Sequence, residues 1–190
     1  MDMKNIPGIT LKGSGDLLPS IGFGSGTKWR IAKSSGETKG VYIDALADQV
    51  TNAIQCGFNH IDTAEAYKTH KEVGTGISNA QVPRETLWIT DKYTPWSWEW
   101  RKGSGPLESL TLSLKEMNLD YVDLYMIHVP NITTKTAGID LKEAWLQMEE
   151  IYTRKMARNI GVSNFDVESL EYIKSFAKYQ PVVNQIEFSA

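Results

Sequence analysis

Four side chains of this sequence form a set able to move a proton and to steady the charge that results. Asp62 and Tyr67 lie in the string HIDTAEAY at 60–67, Lys92 in ITDKY at 89–93, and His128 closes the apolar run YVDLYMI. Tyrosine can give up a proton, but its free pKa is about 10. A neighbouring ammonium stabilises the tyrosinate and lowers that value, which makes Lys92 the expected partner of Tyr67. A buried lysine needs a counter-charge, and Asp62 can offer one. His128 can donate a hydrogen bond to a carbonyl oxygen, assistance of the general-acid kind. Further along, Ser163, Asn164 and Gln185 add hydroxyl and amide groups.

Taken singly, each residue has a plainer reading. Asp62 would cap a helix, Tyr67 would pack as an aromatic, Lys92 would be a solvated charge, and His128 a core histidine. Ser163 and Asn164 read equally well as the cap of a following helix. The set carries weight through its placement. Six short apolar segments, at 21–24, 58–63, 87–93, 121–128, 159–163 and 182–188, are bounded by turn-forming residues, as buried strands are. In parallel α/β folds ligands gather at the carboxyl ends of strands. The candidate residues fall at such ends in succession.

Helical patterns separate most of these segments. Ala45, Leu46, Gln49, Val50, Ala53 and Ile54 share one face, and Gly57 supplies the stop. Cys56 falls in this pattern and is expected as a small core residue. Leu107, Leu110, Leu114 and Met117 form a second stripe, and Leu141, Trp145, Met148 and Ile151 a third. The third opens with Asp140 and Glu143 at capping-box spacing. Phe165, Asp166 and Leu170 read as staple, N-cap and staple partner of a fourth helix, continuing through Ile173 and Phe176. Alternation of this kind predicts an α/β fold with a parallel sheet. Residues 9–11 and 17–19 predict a β-hairpin ahead of it. Residues 33–39 and 94–105 read as loops; Trp96, Trp98 and Trp100 in the second either wall a pocket or pack down.

The composition sets bounds. Apolar residues make up 41% and charged residues 23% of 190, with a net charge of −3, as in an ordinary globular protein and without the basic stripe of a nucleic-acid binder. One cysteine cannot form an internal disulfide, so a reducing compartment, the cytoplasm, is expected. No run approaches the ~20 apolar residues of a membrane span. No metal site is expected.

The strings HIDTAEAY, ITDKY, LDYVDLYMIHVP, GVSNF and VVNQIEFS, in this order and spacing, resemble the aldo-keto reductase family over nearly the whole chain. The resemblance implies a (β/α)8 barrel of the TIM type and a catalytic tetrad of Asp62, Tyr67, Lys92 and His128. It implies that Ser163, Asn164 and Gln185 hold a nicotinamide carboxamide, and that Thr27 and Lys28 touch the cofactor. NADPH is the implied cofactor and a small carbonyl compound the substrate; no side chain can give hydride, so a nicotinamide has to. Val129 stands where the family usually has tryptophan. With the Lys92 and Tyr93 pair and the string PLESL at 106–110, it resembles a fungal branch that reduces α-keto amides and keto-lactones.

Eight strand–helix units need ~250 residues. Residues 1–190 are therefore expected to form one barrel domain with about six βα units, C-terminally truncated by two. An open barrel exposes sheet edges, so self-association is expected. Two alternatives to an active reductase are a nicotinamide-binding regulatory relative and an inactive truncated product.

Overall fold

The computed structural model describes residues 6–35, 39–95 and 105–188. Trp96, Trp98 and Trp100 lie outside them, as does most of the segment read as a loop at 94–105. The chain opens with an antiparallel hairpin, β1 (Gly8–Thr10) and β2 (Leu17–Pro19). Six parallel strands follow in sequence order: β3 (Phe23–Gly24), β4 (His60–Asp62), β5 (Trp88–Tyr93), β6 (Val122–Ile127), β7 (Ala157–Ser163) and β8 (Asn184–Gln185). Parallel neighbours require crossovers, and helices supply them. These are α1 (Lys28–Ser34) and α2 (Asp44–Gln55), then α3 (His70–Ala80) and α4 (Pro106–Met117). After β6 come α5 (Thr134–Ala137) and α6 (Leu141–Thr153), and α7 (Val167–Lys174) follows β7.

Strand alternation sorts the side chains into two sets. Ile89, Tyr125 and Ile127 face the helices and join the main core with Leu46, Val50, Leu110, Trp145 and Met148. Trp88, Leu124 and Met126 take the other face, where Leu11 and Leu18 of the hairpin close over them. The hairpin loop is also fastened by charge. Asp16 accepts hydrogen bonds from Arg158 at 2.7 Å and Asn159 at 2.8 Å, and buried Asp123 accepts from Arg84 at 2.7 Å. On this second face, Asp62 and Lys92 are the last inward positions of β4 and β5, and His128 continues the alternation of β6.

The predicted capping box is present: Asp140 accepts from the Glu143 amide at 2.8 Å, and Glu143 accepts from the Asp140 amide at 2.9 Å. Asp166 caps α7 through the Ser169 amide at 2.8 Å, which leaves Ser163 and Asn164 out of that role. Three expectations need correcting. Lys33 and Ser34, expected in the loop at 33–39, belong to α1, and residues 36–38 lie outside the described residues. The helix α3, His70–Ala80, is additional to the four helices predicted from the sequence. Cys56 is exposed, because it sits just past the last turn of α2, off the face formed by Leu46, Val50 and Ile54.

A buried charged cluster ties β5 to two helices. His70, the first residue of α3, bonds Asp91 Oδ1 through Nε2 at 2.9 Å, and its Nδ1 lies 3.4 Å from Glu116 on α4. Burial alone would lower the His70 pKa, but the charge and hydrogen bond of Asp91, joined by Glu116, raise it to about 9. This folded value is above the ordinary 6.5, so the stabilisation is complete below about pH 6.5 and lost as pH rises through about 9. A shift of this size corresponds to roughly 3 kcal/mol. Thermal midpoints should therefore fall more steeply between neutral and alkaline pH in the wild type than in His70→Gln. Equal slopes would show that His70 carries no such charge.

Among the described residues, no helix is long and apolar enough to cross a membrane, and no cluster of three or more His, Cys, Asp or Glu is placed to hold a metal ion.

Candidate active site

Tyr67 ends the short 3-10 turn Glu65–Tyr67 that follows β4 directly. Lys68 then turns the chain in the left-handed region at φ 59°. Lys92 is only 1% exposed, so its ammonium must find partners inside the fold. It donates to Asp62 Oδ1 at 2.5 Å and to the Thr63 carbonyl at 3.1 Å, and its Nζ lies 5.5 Å from the centre of the Tyr67 ring. The Tyr67 and His128 rings meet edge-on, with centres 5.7 Å apart and planes at 82°. All four residues of the expected tetrad thus converge at the carboxyl ends of β4, β5 and β6.

Support for the site is local and mostly buried. Ser25, Thr63 and Thr69 form a cluster of hydroxyls, with Ser25 Oγ 2.9 Å from Thr63 and 3.0 Å from Thr69. The backbone of Gly26 presses on the Tyr67 ring: a Cβ there would come within 2.9 Å of two ring carbons. Glycine is the residue that admits this approach.

Electrostatics depart from one expectation. Burial raises the Tyr67 pKa above its ordinary value, Lys92 lowers it by charge and hydrogen bond, Asp62 raises it, and Arg30 lowers it. The net direction is upward, whereas the sequence led us to expect Lys92 to bring it down. Desolvation of the phenolate outweighs the ammonium. Tyr67 is therefore protonated at neutral pH. The His128 pKa falls to about 4, first through burial and then through the nearby Lys92 charge, so its ring is neutral.

Ser163, Asn164 and Gln185 also come together. Ser163 Oγ donates to the Gln185 carbonyl at 2.9 Å, and Asn164 Nδ2 donates to Ser163 Oγ at 3.0 Å and to the His128 carbonyl at 2.9 Å. Gln185 Nε2 donates to Asp62 Oδ2 at 3.2 Å, which links this group to the tetrad. Asn164 sits in the left-handed region at φ 60°, one of few non-glycine residues to do so, and such conformations gather at functional sites. Thr27 and Lys28 are not joined to this group. Thr27 is the N-cap residue of α1 at φ 46°, and the Lys28 ammonium lies 4.6 Å from the centre of the Trp29 ring.

Thr94 was missed in the sequence. It extends the inward alternation of Thr90 and Lys92, so period two was the available signal, and its hydroxyl lies 3.3 Å from His128 Nδ1. Arg30, whose charge reaches Tyr67 and His128, had no such signal.

Comparison with known proteins identifies the family and the fold. The model of the Aldo/keto reductase family matches residues 21–190. An NADPH-dependent alpha-keto amide reductase of Saccharomyces cerevisiae is 42% identical over 178 residues, covering 93% of this chain and 55% of the relative. A glyoxal reductase of Bacillus subtilis is 40% identical over 145 residues, covering 74% of this chain and 48% of the relative. Among solved structures, a Bombyx mori aldo-keto reductase in complex with NADP superposes with a TM-score of 0.78 at 35% identity, over 96% of this chain and 58% of that one. The chain spans about half the length of the curated relatives it matches.

Proposed function

Because this chain belongs to the aldo/keto reductase family, we propose that its protein reduces aldehydes or activated ketones to alcohols with NADPH, Tyr67 giving the proton. The observation that carries this reading is the buried Lys92, paired with Asp62 and set against Tyr67, with the Tyr67 ring edge-on to His128. A proton donor must be protonated at working pH yet able to lose its proton to an alkoxide. Burial keeps Tyr67 protonated. The Lys92 ammonium stabilises the phenolate once the proton has left. His128, being neutral, offers a ring N–H to the carbonyl oxygen without competing for the proton.

The residues present fit a nicotinamide. Its carboxamide has both a donor and an acceptor, and the Ser163 hydroxyl with the Asn164 and Gln185 amides forms a set of matching type, one hydrogen bond from Asp62. Bound there, the reduced cofactor supplies the hydride that no side chain can. Thr27 and Lys28, the N-cap and first residue of α1 just beyond Gly26, complete the proposed cofactor contacts. The names of two relatives, an alpha-keto amide reductase and a glyoxal reductase, favour carbonyls activated by a second carbonyl. Residues 1–190 belong in this reading to one barrel domain. A chain with a single cysteine suits a reducing compartment such as the cytoplasm.

Adding an α-keto amide or a dialdehyde to the protein with NADPH should consume the reduced nicotinamide and yield the alcohol. NADPH binding without consumption would instead identify a nicotinamide-binding protein that does no chemistry.

A further inference from the structure

The neutral ring of His128 carries one proton, which sits on either Nδ1 or Nε2, and the choice decides which nitrogen can donate. A ring in the wrong tautomer presents a lone pair where a hydrogen-bond donor is needed. Thr94 is placed to make that choice. It is 2% exposed, and its hydroxyl oxygen lies 3.3 Å from His128 Nδ1. A buried hydroxyl hydrogen needs an acceptor. Among the described residues, Nδ1 is the acceptor placed for it.

Both partners are held. The Thr94 amide donates to Glu65 Oε2 at 3.0 Å, and Glu65 is itself 2% exposed. Glu65 begins the 3-10 turn that ends in Tyr67. The His128 amide donates to the Tyr93 carbonyl at 2.9 Å, and the His128 carbonyl accepts from Asn164. The turn carrying Tyr67 is thus tied through Glu65 and Thr94 to the ring it faces.

We propose that Thr94 is a positioning residue for His128: its hydroxyl donates to Nδ1, which leaves the ring proton on Nε2 as the donor toward substrate. Glu65 holds Thr94 in place for this. The consequence for catalysis rests on the carbonyl reduction proposed above, whereas the tautomer does not.

The test is a nitrogen–proton correlation spectrum of the imidazole rings in the full chain. The chain has 3 histidines, and the His128 pattern is assigned by its loss in His128→Gln. The expected result is the Nε2–H tautomer in the wild type, a mixed or Nδ1–H pattern in Thr94→Val, and return of the wild-type pattern in Thr94→Ser. An Nδ1–H tautomer in the wild type overturns the proposal without need of any variant, and so does an unchanged pattern in Thr94→Val. In turnover, Thr94→Val should lose ~2–10-fold in kcat, the span of a single hydrogen bond, with NADPH affinity unchanged. If the protein consumes no NADPH with any carbonyl, the proposed reaction fails while the tautomer result still decides the role of Thr94.

Discussion

Tyr67→Phe should lower carbonyl reduction by ~10²-fold or more, the lower end of what a positioned acid contributes. The substitution removes one oxygen and keeps the ring. The edge-on contact with His128 and the close approach of Gly26 depend on the ring, so they should survive. The proposed cofactor contacts at Ser163, Asn164 and Gln185 lie at the ends of β7 and β8 and make no use of the phenol. NADPH affinity and the melting temperature should therefore change little. Turnover and cofactor titration measured on both proteins separate the two effects. Near wild-type turnover in the variant would mean that the proton comes from elsewhere.

Lys92→Met should act on pH dependence as well as rate. Burial already holds the Tyr67 pKa above its ordinary value, and Lys92 is the strongest group working against that. Without the ammonium the value climbs further. The limb of the kcat profile that reports loss of the tyrosine proton should then move to higher pH, since the protonated form persists longer. The rate at neutral pH should drop by ~10²-fold, because the departing proton leaves a phenolate with no neighbouring cation. Asp62 would keep its bond from Gln185 but lose its charged partner, so a stability loss of roughly 3 kcal/mol is expected alongside. A limb that stays in place would reduce Lys92 to a structural ion pair.

The placement of Asp62, Lys92 and His128 was legible because period two near strand ends turns them to one face, while the alternate residues Ile61, Ile89, Tyr125 and Ile127 face the helices. Tyr67 lies in the turn beyond β4, where no strand period reaches, and only the family resemblance singled it out. Capping chemistry was legible too, since Asp140, Glu143 and Asp166 act through bonds to nearby residues. What escaped depends on contacts made far along the chain. The helix α1 has no side-chain cap; it is held by buried Lys33, paired with Glu72 on α3, and by Trp29, which donates to Gln49 on α2 at 3.2 Å. On α3 the glycines Gly74 and Gly76 weaken the propensity signal. They are there for packing: a Cβ on Gly74 would fall 2.4 Å from the Met117 carbonyl oxygen on α4. The strands at the ends of the sheet are shorter than their apolar segments, with β3 confined to Phe23–Gly24 and β8 to Asn184–Gln185. The sign of the Tyr67 shift could not be read in advance either, because it depends on how deeply the ring is buried.

The misplaced expectation for Cys56 has a practical side. It is the chain's one cysteine, it is exposed, and it precedes β4 at the end of that strand opposite Asp62. Within residues 1–190 a maleimide dye or spin label therefore has a single attachment point, reached without touching the candidate tetrad. Attached there, it gives a stoichiometric optical or magnetic reporter on the strand that leads to Asp62 and Tyr67, in this chain without substitution.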